Sequence, residues 1–93
     1  MAKTVLVVDD DPTQRRLLQA AVERQGFRAR VVDNGEKALQ EASDARNGVD
    51  VVLLDLVMPG LSGMETLERL MERRQDLPVV VLTASGGIDT VVQ

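Results

Sequence analysis

The chain of 93 residues has no cysteine and no histidine. Without thiols, disulfides, thiolate zinc sites and cysteine nucleophiles are excluded. Without imidazole, any histidine chemistry must come from a partner. Phe27 is the only aromatic residue, so the core has to be aliphatic. No apolar run approaches the roughly 18 residues of a membrane-spanning helix. The opening MAKTVLVV is too short for a signal peptide and lacks a cleavage-like segment. Positive charge is scarce as well: a net charge of −4 argues against wrapping nucleic acid with a basic surface. Together these absences favour a reducing, cytoplasmic location, with neither membrane nor nucleic acid as a direct partner.

What is present is an aliphatic alternation. Hydrophobic residues make up 44% of the chain, which suits a packed core rather than a disordered segment. The length suits one small domain over residues 1–93. Thr4 to Val8 (TVLVV) reads as a strand covered on both faces. Asp11 and Pro12 mark a helix start, with Leu17, Leu18, Ala21 and Val22 on one face and Gly26 as its stop. Residues 27–32 (FRARVV) alternate, with Arg28 and Arg30 on one side, as an edge strand does. Asn34–Gly35 opens a second helix carrying Ala38, Leu39 and Ala42, and Asn47–Gly48 ends that segment. Val49 to Leu54 reads as a third strand, apolar except for Asp50. Ser62 caps a third helix with Met64, Leu67, Leu70 and Met71 inward. Pro78 precedes a fourth strand, VVVLT, and Ser85–Gly86–Gly87 a loop. Ile88 to Gln93 reads as the first turns of another helix. Arg15–Arg16 and Arg73–Arg74 read as solvated helix faces. Strands alternating with helices imply a parallel sheet with right-handed crossovers. Such a fold usually completes that last helix and adds a strand, so residues 1–93 read as a fragment.

In parallel sheets, functional groups collect at the carboxyl ends of the strands. The first strand ends in Asp9, Asp10 and Asp11, the third in Asp55, the fourth in Thr83. Each alone has a plain explanation: Asp11 an N-cap, Asp9 and Asp10 solvated loop residues, Asp55 a turn residue. On neighbouring strands they would crowd several carboxylates into one crevice, where they resist ionising together. A hard divalent cation such as Mg2+ removes that conflict. A carboxylate beside it can serve as nucleophile toward phosphorus.

These motifs carry a resemblance. VLVVDDDP at 5–12, VVLLDLVMPGLSGME at 51–65 and PVVVLTAS at 78–85 together resemble the receiver domain of a two-component response regulator. The last stretch, SGGIDTVVQ, is similar to receivers of sigma-54-dependent transcription activators. The resemblance implies a flavodoxin-like, doubly wound α/β sheet of order 2-1-3-4, its fifth strand missing from residues 1–93. It implies Asp55 as phosphoacceptor, with Asp9, Asp10, Asp55 and the Val57 carbonyl as Mg2+ ligands. Thr83 and the Ala84 backbone N–H would hold phosphoryl oxygens. The donor would be a phosphohistidine on a sensor histidine kinase or phosphotransfer protein, met by exposed Gln14 and Leu17 on the first helix. An output domain would sit elsewhere in the protein. The chain would then be a signalling phosphoacceptor that assists its own phosphorylation and dephosphorylation, not an enzyme. The family places a lysine at the end of its fifth strand, and neither Lys3 nor Lys37 matches that position.

Two other readings stand beside it. Asp9, Asp11 and Thr13 after an apolar strand also resemble the nucleophile motif of haloacid-dehalogenase-like phosphatases, with Asp9 as nucleophile and Asp11 as general acid. That leaves Asp55 without a role. A receiver remnant acting only as a binding module is the third. In a four-stranded sheet, Val79 to Leu82 would be an exposed apolar edge, and self-association through it is expected.

Overall fold

Apolar strands separated by capped helices dictate the architecture. A computed structural model describes residues 2–56, 63–82 and 88–92. The elements are β1 (Thr4–Val8), α1 (Pro12–Arg24), β2 (Arg28–Val32), α2 (Gly35–Ser43), a 3-10 turn (Ala45–Asn47), β3 (Val49–Asp55), α3 (Gly63–Arg73), β4 (Val79–Leu82) and β5 (Ile88–Val92). β2, β1, β3 and β4 lie side by side and parallel in that order, as expected.

The helix starts are chemical. Asp11 is the N-cap of α1, its carboxylate accepting from the Thr13 and Gln14 N–H groups, and Pro12 takes the first turn, where its missing donor costs nothing. Asn34 caps α2 by accepting from the Lys37 N–H at 2.8 Å. Gly26 has φ 90°, a conformation that favours glycine, and it turns the chain from α1 into β2.

Successive β1 side chains point to opposite faces. Leu6 and Val8 join Leu39, Leu54, Leu67 and Leu70 in the larger core beneath α2 and α3. Val5 and Val7 join Val22, with Leu18, Val51 and Leu53 against them, beneath α1. β1 is wholly buried. In β3, by contrast, Val51 and Leu53 are half-buried, because α1 is the only described helix on their face. Asp50 interrupts β3 where the β1 register shifts; its carboxylate accepts from the Thr4 N–H at 2.8 Å.

The last element corrects the expectation. Residues 88–92 form a strand, not a helix, and pair antiparallel to β4, with Val79 opposite Val92 and Val81 opposite Thr90. The sheet order is β2-β1-β3-β4-β5. Ile88, Thr90, Val91 and Val92 are β-branched, which favours a strand, and the outer edge of β4 presents backbone groups in need of partners. β4 is therefore not an open edge, and the ground for self-association through it is gone. Leu17 is 66% exposed, as the receiver resemblance implies. Two side chains depart from expectation. Met64 is 50% exposed, so it does not pack inward. Arg74 is not merely solvated: it donates to the Ala42 carbonyl at 3.0 Å and ties the end of α3 to α2.

Candidate functional site

Register brings the acids together. Val8 of β1 pairs with Leu54 of β3, so the next residues, Asp9 and Asp55, leave adjacent strands side by side. Asp10 follows on the loop into α1. One carboxylate oxygen from each of Asp9, Asp10 and Asp55 lies within 4.8 Å of the others. Asp9 is buried, Asp55 half-buried and Asp10 exposed.

Asp9 is the anchored member. Its N–H donates to the Val32 carbonyl at 3.2 Å, extending the β1–β2 ladder by one residue. Its Oδ1 accepts from the Asp11 N–H at 2.9 Å. Its Oδ2 is buried and has no hydrogen-bond partner among the described residues. Burial pushes the Asp9 carboxyl above its ordinary 3.8; the Asp11 N–H opposes this, and the charges of Asp55, Asp10 and Asp11 push it further up. A buried, unpaired carboxylate oxygen on a residue beside two more acids is costly as it stands.

That arrangement fits a hard cation. The donors are all oxygen, the charges are in excess, and one buried lone pair is unclaimed, which is what Mg2+ asks of a site. Asp11 is not part of the set: its Oδ1 accepts from the Thr13 N–H at 2.9 Å and the Gln14 N–H at 3.4 Å. The general-acid role that the phosphatase reading gave it is therefore taken up by helix capping.

The remaining site residues divide. Asp55 pairs with Leu82 in the β3–β4 ladder, so the strand leading to Thr83 runs beside it. Thr83, Ala84, Val57 and the Met58–Pro59–Gly60 turn lie outside the described residues. Gln14 and Leu17 are exposed on α1. Two residues escaped sequence reasoning. At Gly63, which opens α3, a Cβ would fall 2.6 Å from the Asp55 carbonyl oxygen and collide with the Leu56 backbone. Only glycine lets α3 sit that close to the end of β3. Arg15, taken as a solvated residue, is half-buried and its Nη1 donates to the Asp9 carbonyl at 2.9 Å. A separation of six residues along the chain carries no local rule that would have revealed it.

Comparison with known proteins agrees with this geometry. A family model described as "Response regulator receiver domain" matches residues 5–93. The uncharacterized transcriptional regulatory protein YkoG of Bacillus subtilis is 39% identical over 84 residues, which is 90% of this chain and 36% of YkoG. The chain thus spans about a third of that relative. The response regulator TrrA of Thermotoga maritima, solved in complex with Mg2+ and BeF, superposes with a TM-score of 0.79 at 37% identity, covering 88% of this chain and 70% of that one. The structure of the histidine kinase ThkA in complex with TrrA matches with a TM-score of 0.81 at 34% identity, covering 95% and 74%. With its acids on adjacent strand ends and a family match from Val5 to Gln93, the chain belongs to the response regulator receiver domain family.

Proposed function

We propose that this chain accepts a phosphoryl group on Asp55 from the phosphohistidine of a sensor kinase or phosphotransfer protein. The observation that carries the reading is the convergence of Asp9, Asp10 and Asp55, with an unpartnered, buried Oδ2 on Asp9. Asp9 and Asp10 would hold Mg2+, together with an Asp55 oxygen and the Val57 carbonyl. When bound, the ion offsets the charge of the transferring phosphoryl group. A carboxylate oxygen of Asp55 attacks phosphorus. An O–P bond forms, the P–N bond of the phosphohistidine breaks, and its electron pair leaves on the imidazole nitrogen. Thr83 and the Ala84 N–H hold phosphoryl oxygens, and the small Ala84 side chain leaves access.

The partner supplies the imidazole that this chain lacks. Gln14 and Leu17, exposed on the helix that begins beside the acids, meet it. The complex of TrrA with ThkA supports that class of partner, and the Mg2+–BeF form of TrrA supports that ion. In this reading residues 1–93 act as one receiver unit in the cytoplasm. They report to an output domain elsewhere in the protein and assist their own phosphorylation and dephosphorylation, rather than turning over a separate substrate.

Incubating the whole protein with acetyl phosphate and Mg2+, then mapping peptides by mass spectrometry, tests the assignment. One adduct is expected, on Asp55, and it disappears in Asp55→Asn. An adduct on Asp9 with none on Asp55 would overturn it.

A further inference from the structure

We propose that Arg15 is a positioning residue for the acidic cluster, fixing the end of β1 so that the Asp9 carboxylate stays beside Asp10 and Asp55. This inference rests on the cation-holding role given to those acids above. Past Val8 the chain leaves the sheet, and a departing strand end is free to fray unless something holds it. Asp9 is held from two directions. Its N–H reaches back to β2 through the Val32 carbonyl at 3.2 Å. Its carbonyl accepts from Arg15 Nη1 at 2.9 Å. Arg15 sits in the second turn of α1, a helix already anchored by its Asp11 cap, so the bond ties the strand end to a rigid element. The guanidinium also borders a recess of about 490 Å³ that it shares with Asp33 and Lys37. The Asp33 carboxyl is held below its ordinary value first by its hydrogen bond from Lys37 and then by the Lys37 charge, with Arg15 adding a smaller pull. Arg15 thus shares a recess with an acid while it bonds the Asp9 carbonyl. Arg16, its neighbour, is exposed.

The sign of the effect separates positioning from bare charge. As a charge alone, a cation close to a cation site weakens binding, and its removal tightens binding. As a positioning group, its removal lets Asp9 drift and loosens binding, and lost outer-shell support of this kind costs about tenfold or more in metal affinity. Lysine keeps the charge but not the planar, five-donor fork. It should therefore restore part of the loss only.

The test is Mn2+ binding to the whole protein, read from the free Mn2+ signal by electron paramagnetic resonance, with Mg2+ as competitor and a thermal melt of each variant. Arg15→Met is expected to bind Mn2+ about tenfold more weakly, Arg15→Lys between that variant and the unchanged protein, and Arg16→Met as tightly as the unchanged protein or slightly tighter. Equal or tighter binding by Arg15→Met overturns the proposal. Should Arg15→Met fail to fold, Arg15→Lys decides: affinity equal to the unchanged protein overturns the proposal, and weaker affinity at the same net charge upholds it. If the unchanged protein binds neither ion, the cation site itself is wrong, and the positioning role falls with it.

Discussion

Asp9→Asn should make the metal-free protein more stable, an unusual direction for a change at a fully buried residue. The substitution keeps the Oδ1 that accepts from the Asp11 N–H. It replaces the unpartnered, charged Oδ2 with a neutral NH2 group. It also removes one charge from a cluster whose oxygens lie within 4.8 Å of one another. Two unit charges at that separation repel by about 3.5 kcal/mol at an effective dielectric of 20, and by about 1 kcal/mol in bulk water. Asp10 is exposed and Asp55 half-buried, so the relief falls toward the lower figure, about 1–2 kcal/mol. For a domain of this size that corresponds to a rise in Tm of about 5–10 °C. The pH dependence has a definite sign. The folded-state pKa of Asp9 is raised above 3.8, so below 3.8 both states carry the proton and the variant gains nothing. As pH rises from there through the raised value, the unchanged protein loses stability that the variant retains, and the gap is complete above it. Thermal melts by circular dichroism, in chelator from pH 3 to 8, measure this directly. Added Mg2+ should narrow or reverse the gap, since a ligand at 100 times its Kd stabilises by about 2.7 kcal/mol. A variant that melts at or below the unchanged protein at pH 7 in chelator would refute the reasoning.

Two further outcomes follow from the same geometry. Gly63→Ala should destabilise by about 3 kcal/mol, because the added Cβ forces α3 away from the Asp55 carbonyl and the Leu56 backbone; urea denaturation measures this, and a loss under about 0.5 kcal/mol, the scale of a neutral surface change, contradicts the close approach. Asp11→Ala should cost about 1 kcal/mol through the lost cap of α1 while leaving the proposed phosphorylation of Asp55 intact; its loss in a folded variant would mean that Asp11 does chemistry after all.

Much of the fold was legible because local signals agreed. Aliphatic runs, Asp11–Pro12, Asn34 and the glycines at 26 and 48 each say strand, cap or turn without help from the rest of the chain. The segment after Ser85 was not legible in this way. Its Ile88–Val92 pattern fits one turn of helix as readily as a strand, and the neighbouring open edge of β4 decides between them. Likewise a helical period places Met64 beside buried residues, yet it stands outside because the apolar stripe is wider than the surface its helix covers.

For the site, sequence alone determined which groups are available. A chain without cysteine or histidine, with acids at the ends of two apolar strands, has only carboxylate chemistry to offer there. Side-chain identity and the alternation of strands with helices follow from composition and period, which are properties of short segments; the strand order came only with the receiver resemblance. What each acid experiences is a property of neighbours distant in sequence. The pairing of Val8 with Leu54 sets Asp9 against Asp55, burial strips Asp9 of water, the Asp11 N–H claims one oxygen and leaves the other, and Arg15 and Gly63 take their roles only from what lies opposite them. Charge, solvent exclusion and close approach act through space, so only the folded chain could decide them.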